Sequence, residues 1–125
     1  MNNDLNGLMR ILIVDDDVDS AESLADILEL DGHQTNISFD GSQAVDKYLS
    51  EPFDLVFMDL KMPVLSGKEA IRRIFAFNSD ANIVVVTGNT IQEEIEEVME
   101  MGIFELLRKP YSINKIQEIT HHFAH

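Results

Sequence analysis

Short apolar runs alternate along this chain with longer stretches in which apolar residues recur every three or four positions, and most of the runs stop at a polar residue. The run 11–14 enters Asp15, Asp16 and Asp17, the run 54–58 enters Asp59, the run 83–86 enters Thr87, and the run 104–107 passes Arg108 into Lys109 and Pro110. Continuous Val, Ile and Leu without polar alternation reads as strand buried on both faces, the habit of parallel sheets. The intervening three-and-four spacing reads as amphipathic helix. A helix over about 18–30 carries Ala21, Leu24, Ile27 and Leu28, and Gly32 suits its exit. A less apolar strand over 34–39 is predicted at a sheet edge. It leads past Asp40 and Gly41 into a helix carrying Ala44, Val45, Tyr48 and Leu49, which Pro52 stops. Ser66, Gly67, Lys68 and Glu69 have capping-box spacing and open a helix to about Phe77. Thr90, Ile91, Gln92 and Glu93 repeat that spacing, and predict a helix with Ile91, Ile95, Val98 and Met99 inward, glutamates outward and Gly102 at its end. A last helix spans about 112–122. Five strand and helix pairs in alternation predict an α/β domain built on a parallel sheet.

If the strands are parallel neighbours, the polar residues that end them meet at one edge of the sheet. Ligands of open α/β sheets bind there, because loops carry the chemistry while strands hold position. Singly, each residue has an ordinary role: an Asp after a strand caps a helix, Thr87 before Gly88 makes a turn, and Lys109 lies before a proline on the surface. Jointly those roles fail, since three carboxylate positions without a nearby cation would repel one another.

Composition narrows the function. At 125 residues there is room for one domain with a sizeable core, and none for a separate output or catalytic domain. There is no cysteine, so disulfides and thiolate metal ligands are excluded, and a cytoplasmic location is expected. Residues 1–9 read as a polar extension without the basic start and apolar core of a signal peptide, and no run approaches bilayer-spanning length. Nine Lys and Arg against 23 Asp and Glu give a net charge of −14, which disfavours direct contact with nucleic acid or an anionic membrane. The acids concentrate at 15–19 and at Glu93, Glu94, Glu96, Glu97 and Glu100, a solvated helix face or a surface that selects basic partners. None of the six glycines forms a dinucleotide or P-loop motif, and nothing near His121, His122 and His125 completes a metal site.

The motifs ILIVDDD, DLVFMDLKMP followed by SG, IVVVTG and LLRKPYS, in this order and spacing, resemble the receiver domain of two-component response regulators. The resemblance covers residues 10–125. It implies a flavodoxin-like, doubly wound (βα)5 fold with strand order 2-1-3-4-5. It implies that Asp59 is the phosphoacceptor. Mg2+ would be held by Asp16, Asp59 and the Lys61 carbonyl, with Asp15 acting largely through bound water. Lys109 would pair with the phosphoryl oxygens, and Thr87 would be the switch hydroxyl. The Lys109–Pro110 peptide is cis in many relatives. Asp17 lies outside the usual pair and is expected to cap the first helix. Implied partners are a sensor histidine kinase or His phosphotransfer protein and a downstream effector, met through residues 90–122, and the implied role is a signalling switch rather than an enzyme. Two positions depart or vary. Leu106 stands where relatives commonly carry Tyr or Phe, so phosphorylation is expected to rearrange the loop at Gly88 and Asn89 without a rotating ring. Lys61 and Asn89 occupy positions that influence acyl-phosphate lifetime, and Lys61 either reaches the phosphoryl group or points into solvent.

Two other functions compete. A phosphohydrolase of the haloacid dehalogenase type would use Asp15 as nucleophile with Asp17, Thr87 and Lys109, but it needs an acidic pair beyond the lysine, where the only acid is Glu118. A binding module that keeps the fold and signals without phosphorylation is favoured by Leu106 and disfavoured by the complete set Asp15, Asp16, Asp59, Thr87 and Lys109.

Overall fold

A computed structural model describes residues 7–88 and 90–123. The chain runs β1 (Arg10–Val14), α1 (Val18–Leu30), β2 (Gln34–Ser38), α2 (Gly41–Ser50), β3 (Leu55–Met58), α3 (Gly67–Phe77), β4 (Ile83–Thr87), α4 (Gln92–Glu100), β5 (Glu105–Arg108) and α5 (Ile113–Phe123). All strands are parallel, in the order β2-β1-β3-β4-β5, so the weakly apolar β2 is an edge as its sequence predicts. The order reverses between β1 and β3, which opens a crevice above their carboxyl ends.

Because side chains alternate across a strand, the apolar runs feed two cores. Ile11, Ile13, Leu55, Phe57, Val84, Val86 and Leu107 pack with Ala21, Leu24 and Leu28 of α1 and Ile116 and Ile119 of α5. Leu12, Val14, Val56, Met58, Ile83 and Val85 pack on the other face with α2, α3 and α4. Three helix starts follow their sequence: Asp17, Asp40 and Ser66 accept from the backbone N–H groups of Ser20, Gln43 and Glu69 at 3.2, 2.8 and 3.2 Å. Only half of the Ser66 box forms, because the Glu69 carboxylate turns to Arg72 and Arg73.

The start of α4 departs from its sequence. Its N-cap is Ile91, with no side-chain cap, and the Thr90 hydroxyl is not a cap at all but pairs with that of Thr87. Ile95 and Val98 are buried as expected, whereas Ile91 and Met99 are 69% and 50% exposed, so the predicted inward face is two residues narrower. Leu49 of α2 is likewise exposed. Gly102 ends α4 at φ +101°, as predicted, where any Cβ would be strained.

His33 shows how burial sets a pH response. Its Nδ1 accepts the backbone N–H of Met9 at 3.1 Å, which requires the neutral ring. Burial lowers its pKa, with Asp31 opposing and His121 adding to the shift. The unfolded chain therefore takes up the proton first, and the stability His33 contributes above its ordinary pKa of about 6.5 is lost as pH falls toward the lowered folded value. Urea melts between roughly pH 7 and pH 5.5 should show this slope, and His33→Gln should flatten it.

Candidate functional site

Backbone hydrogen bonds carry the sheet register one residue past the strand ends and so place the site. Asp15 N–H donates to Ser38 O at 3.1 Å, Asp59 N–H to Val14 O at 2.9 Å, and Lys109 N–H to Thr87 O at 2.8 Å. Asp15, Asp59 and Lys109 thus stand side by side above β1, β3 and β5, with Thr87 ending β4. Asp15 and Asp59 are buried, at 6% and 9% exposure, while Asp16 is exposed.

Lys109 Nζ bridges the two buried carboxylates, donating to Asp15 Oδ2 at 2.9 Å and to Asp59 Oδ2 at 3.4 Å. The second oxygen of each acid takes a backbone donor: Asp17 N–H reaches Asp15 Oδ1 at 2.9 Å, and Lys61 N–H reaches Asp59 Oδ1 at 3.2 Å. Burial raises the Asp59 pKa above the usual carboxylate range and the Asp15 charge adds to it, against the lowering effects of Lys109 and the Lys61 N–H. Burial would lower the Lys109 pKa, but its hydrogen bond to Asp15 and the two carboxylate charges outweigh this and raise it. The ammonium form is secured.

One carboxylate oxygen from each of Asp15, Asp16 and Asp59 lies within 4.8 Å of the others. Three carboxylate oxygens form an all-oxygen set that fits a hard dication keeping part of its water shell. Asp17, whose side chain caps α1, stays out of this set, which leaves the phosphohydrolase pattern of Asp15 with Asp17 unformed. The Lys61 side chain is exposed. Thr87 is buried and its hydroxyl is paired with Thr90. Leu106 is half-buried against the α2–α4 core. The Lys109–Pro110 peptide is cis. Asn89 and His125 lie outside the described residues, as does most of the predicted 1–9 extension.

Two contributors escape sequence reasoning. Thr90 carries the signal of a helix cap, and only the fold turns it to Thr87. Gly67 carries the signal of a helix start, yet its Cα lies against the backbone of Asp59 and Leu60, holding α3 on the turn that follows the buried acid.

Residues 11–121 match the family model described as the response regulator receiver domain. The chain is 32% identical over 108 residues to the response regulator MprA of Mycobacterium avium, covering 86% of this chain and 47% of that protein. It is 30% identical over 109 residues to sporulation initiation phosphotransferase F of Bacillus subtilis, covering 87% and 88%. Thus the chain spans about half the length of some curated relatives, MprA among them, and nearly all of another. Among solved structures, a CheY-like receiver domain protein from Methanospirillum hungatei superposes with a TM-score of 0.85 at 28% identity, covering 93% of this chain and 96% of that one. A receiver domain protein from Clostridium thermocellum gives 0.87 at 25% identity, covering 93% and 94%.

Proposed function

Since the chain belongs to the response regulator receiver domain family of two-component signalling, and is therefore not a conventional enzyme, we propose that it accepts a phosphoryl group on Asp59 from a histidine kinase or His phosphotransfer protein in the cytoplasm. A carboxylate oxygen of Asp59 attacks phosphorus. A P–O bond forms while the P–N bond of the phosphohistidine breaks, its electron pair leaves with the imidazole, and the ring takes a proton from solvent. Hydrolysis reverses the state: water attacks phosphorus, the P–O bond to Asp59 breaks, and inorganic phosphate and the carboxylate are released.

The observation that carries this reading is the Lys109 ammonium bridging Asp15 and Asp59 beside a third acid. Two buried acids sharing one cation leave Asp59 poorly solvated and hence nucleophilic. Lys109 has a second partner in Asp15 and can move from Asp59 to a phosphoryl oxygen without losing its pairing. The acidic trio is of the kind that holds Mg2+ in receivers; Asp16, Asp59 and the Lys61 carbonyl would hold the ion directly and Asp15 through water, and the ion would supply charge that offsets the phosphoryl group. Thr87 then donates its hydroxyl to the new phosphoryl group.

Partner recognition falls to α4, β5 and α5. A groove of about 650 Å³ between α4 and β5 is lined by Ile95, Met99, Phe104 and Leu106, with Glu96, Glu100 and Glu105 around it. An apolar segment flanked by Lys or Arg fits such a surface. Among the described residues no helix is long and apolar enough to cross a membrane.

Intact mass after incubation with Mg2+ and acetyl phosphate tests the chemistry. One phosphoryl adduct is expected, absent in Asp59→Asn and absent when Mg2+ is chelated. An unlabelled chain to which Mg2+ demonstrably binds would overturn the reading in favour of a phosphorylation-independent module.

A further inference from the structure

Helix α4 starts one residue later than its sequence dictates, and the hydroxyl suited to cap it is engaged elsewhere. Threonine is a favoured N-cap and isoleucine a poor one, and Thr90 has Glu93 at the spacing a cap requires. Among the described residues, no side chain accepts from the first-turn N–H groups of α4. What holds Thr90 away is Thr87. The Thr87 side chain is 1% exposed, so its hydroxyl needs a protein partner, and Thr90 is that partner. The Thr87 backbone is fixed by the Lys109 N–H on its carbonyl at 2.8 Å, which leaves side-chain rotation as the available motion.

We propose that Thr90 is a positioning residue with two alternative partners: at rest it holds the Thr87 hydroxyl, and when Thr87 turns to a phosphoryl group on Asp59, Thr90 becomes the N-cap of α4. The inference rests on the roles of Asp59 and Thr87 given above. The exchange leaves neither hydroxyl without a partner, since Thr87 trades Thr90 for a phosphoryl oxygen and Thr90 trades Thr87 for the Glu93 N–H. It also lengthens α4 by one residue, drawing the exposed Ile91 into the first turn, where Glu93 and Glu94 remain favourably placed against the helix dipole. The site thus reaches the partner-binding helix through two hydroxyls, without an aromatic ring at position 106. Leu106 has no part in the exchange.

Amide hydrogen exchange at Glu93, followed by NMR, tests this. In the resting chain the Glu93 amide is expected to exchange fast. Phosphorylation by acetyl phosphate with Mg2+ should slow it about fivefold, the ratio given by the free energy of a typical side-chain cap. Thr87→Ala, and Thr87→Val should the first variant fold poorly, releases Thr90 without any phosphoryl group and should slow the amide equally. Thr90→Ser should behave as the parent, while Thr90→Val should take the phosphoryl group on Asp59 with the Glu93 amide still fast. An amide unchanged in both Thr87 variants, or slowed by phosphorylation in Thr90→Val, overturns the proposal. The Thr87 variants need no phosphoryl group, so failure to label Asp59 would count against the proposed function alone.

Discussion

Gly67→Ala is expected to destabilise the domain by roughly 3–5 kcal/mol, a large fraction of the stability of an ordinary domain. A Cβ at position 67 would lie 2.0 Å from the Asp59 carbonyl oxygen, 2.7 Å from Leu60 Cα and 2.9 Å from the Asp59 carbonyl carbon. All three are backbone atoms, so no rotamer relieves the overlap. Relief requires either that α3 lift off, exposing Ala70, Ile71 and Ile74, or that the turn carrying Asp59 move. Gly88→Ala is the control, because its Cβ would meet nothing within 4 Å. That variant should stay within about 0.5 kcal/mol of the parent. Urea unfolding of the three proteins decides the matter, and equal midpoints would show that the approach of α3 to Asp59 is looser than 2.0 Å implies.

The second large effect concerns Lys109. In chelator, Lys109→Ala leaves Asp15 and Asp59 without their shared ammonium, and a loss of roughly 1–3 kcal/mol is expected, discounted from the cost of a fully buried pair because the lysine is partly exposed. Phosphotransfer from acetyl phosphate should fall by about 10²–10³, the usual consequence of removing one preorganised charge from a developing anion. Asp59→Asn acts in the opposite direction. The folded Asp59 pKa lies above its unfolded value, so the folded chain binds the extra proton, and stability falls as pH rises from the ordinary carboxylate value through the raised one. Above the raised pKa the ionised, buried carboxylate is a burden that asparagine lacks, and there the variant should melt above the parent in chelator and lose the acid-side slope. The raised Lys109 pKa has its own sign: its stabilisation is complete below the unfolded value and fades as pH climbs through the folded one. Combining the two substitutions should reduce the cost of Lys109→Ala, since the group that needed the ammonium is gone. Thermal melts of all four chains, with and without Mg2+, test the set, and additive effects would refute the coupling.

Strand residues announce themselves through composition, so β1, β3 and β4 were legible from unbroken Val, Ile and Leu, and β2 from its lack of them. The acids and the lysine were legible because each sits directly after a strand, where the sheet fixes position and needs no knowledge of loops. Thr90 carries a misleading signal because a capping rule looks three residues forward, while the competing hydroxyl lies three residues back and is recognised only once burial denies it water. Ile91 and Met99 differ from expectation because helical periodicity gives a direction for the apolar stripe but not its width, which the neighbouring layer sets. Gly67 read as a helix start, and its approach to Asp59 depends on how α3 settles on a turn, a distance that no spacing encodes.

Helix α4 buries two side chains, Ile95 and Val98, whereas α1 buries four, and among the described residues a single lysine, Lys68, ties its glutamates to α3 through Glu97 at 3.2 Å. An element so lightly held is expected at the low end of the molecule's ladder of partial openings, its amides exchanging ahead of those of the central strands. Arrangements of α4 would therefore be sampled before any signal arrives, and a phosphoryl group on Asp59, as proposed above, would redistribute weight among them rather than build a new shape.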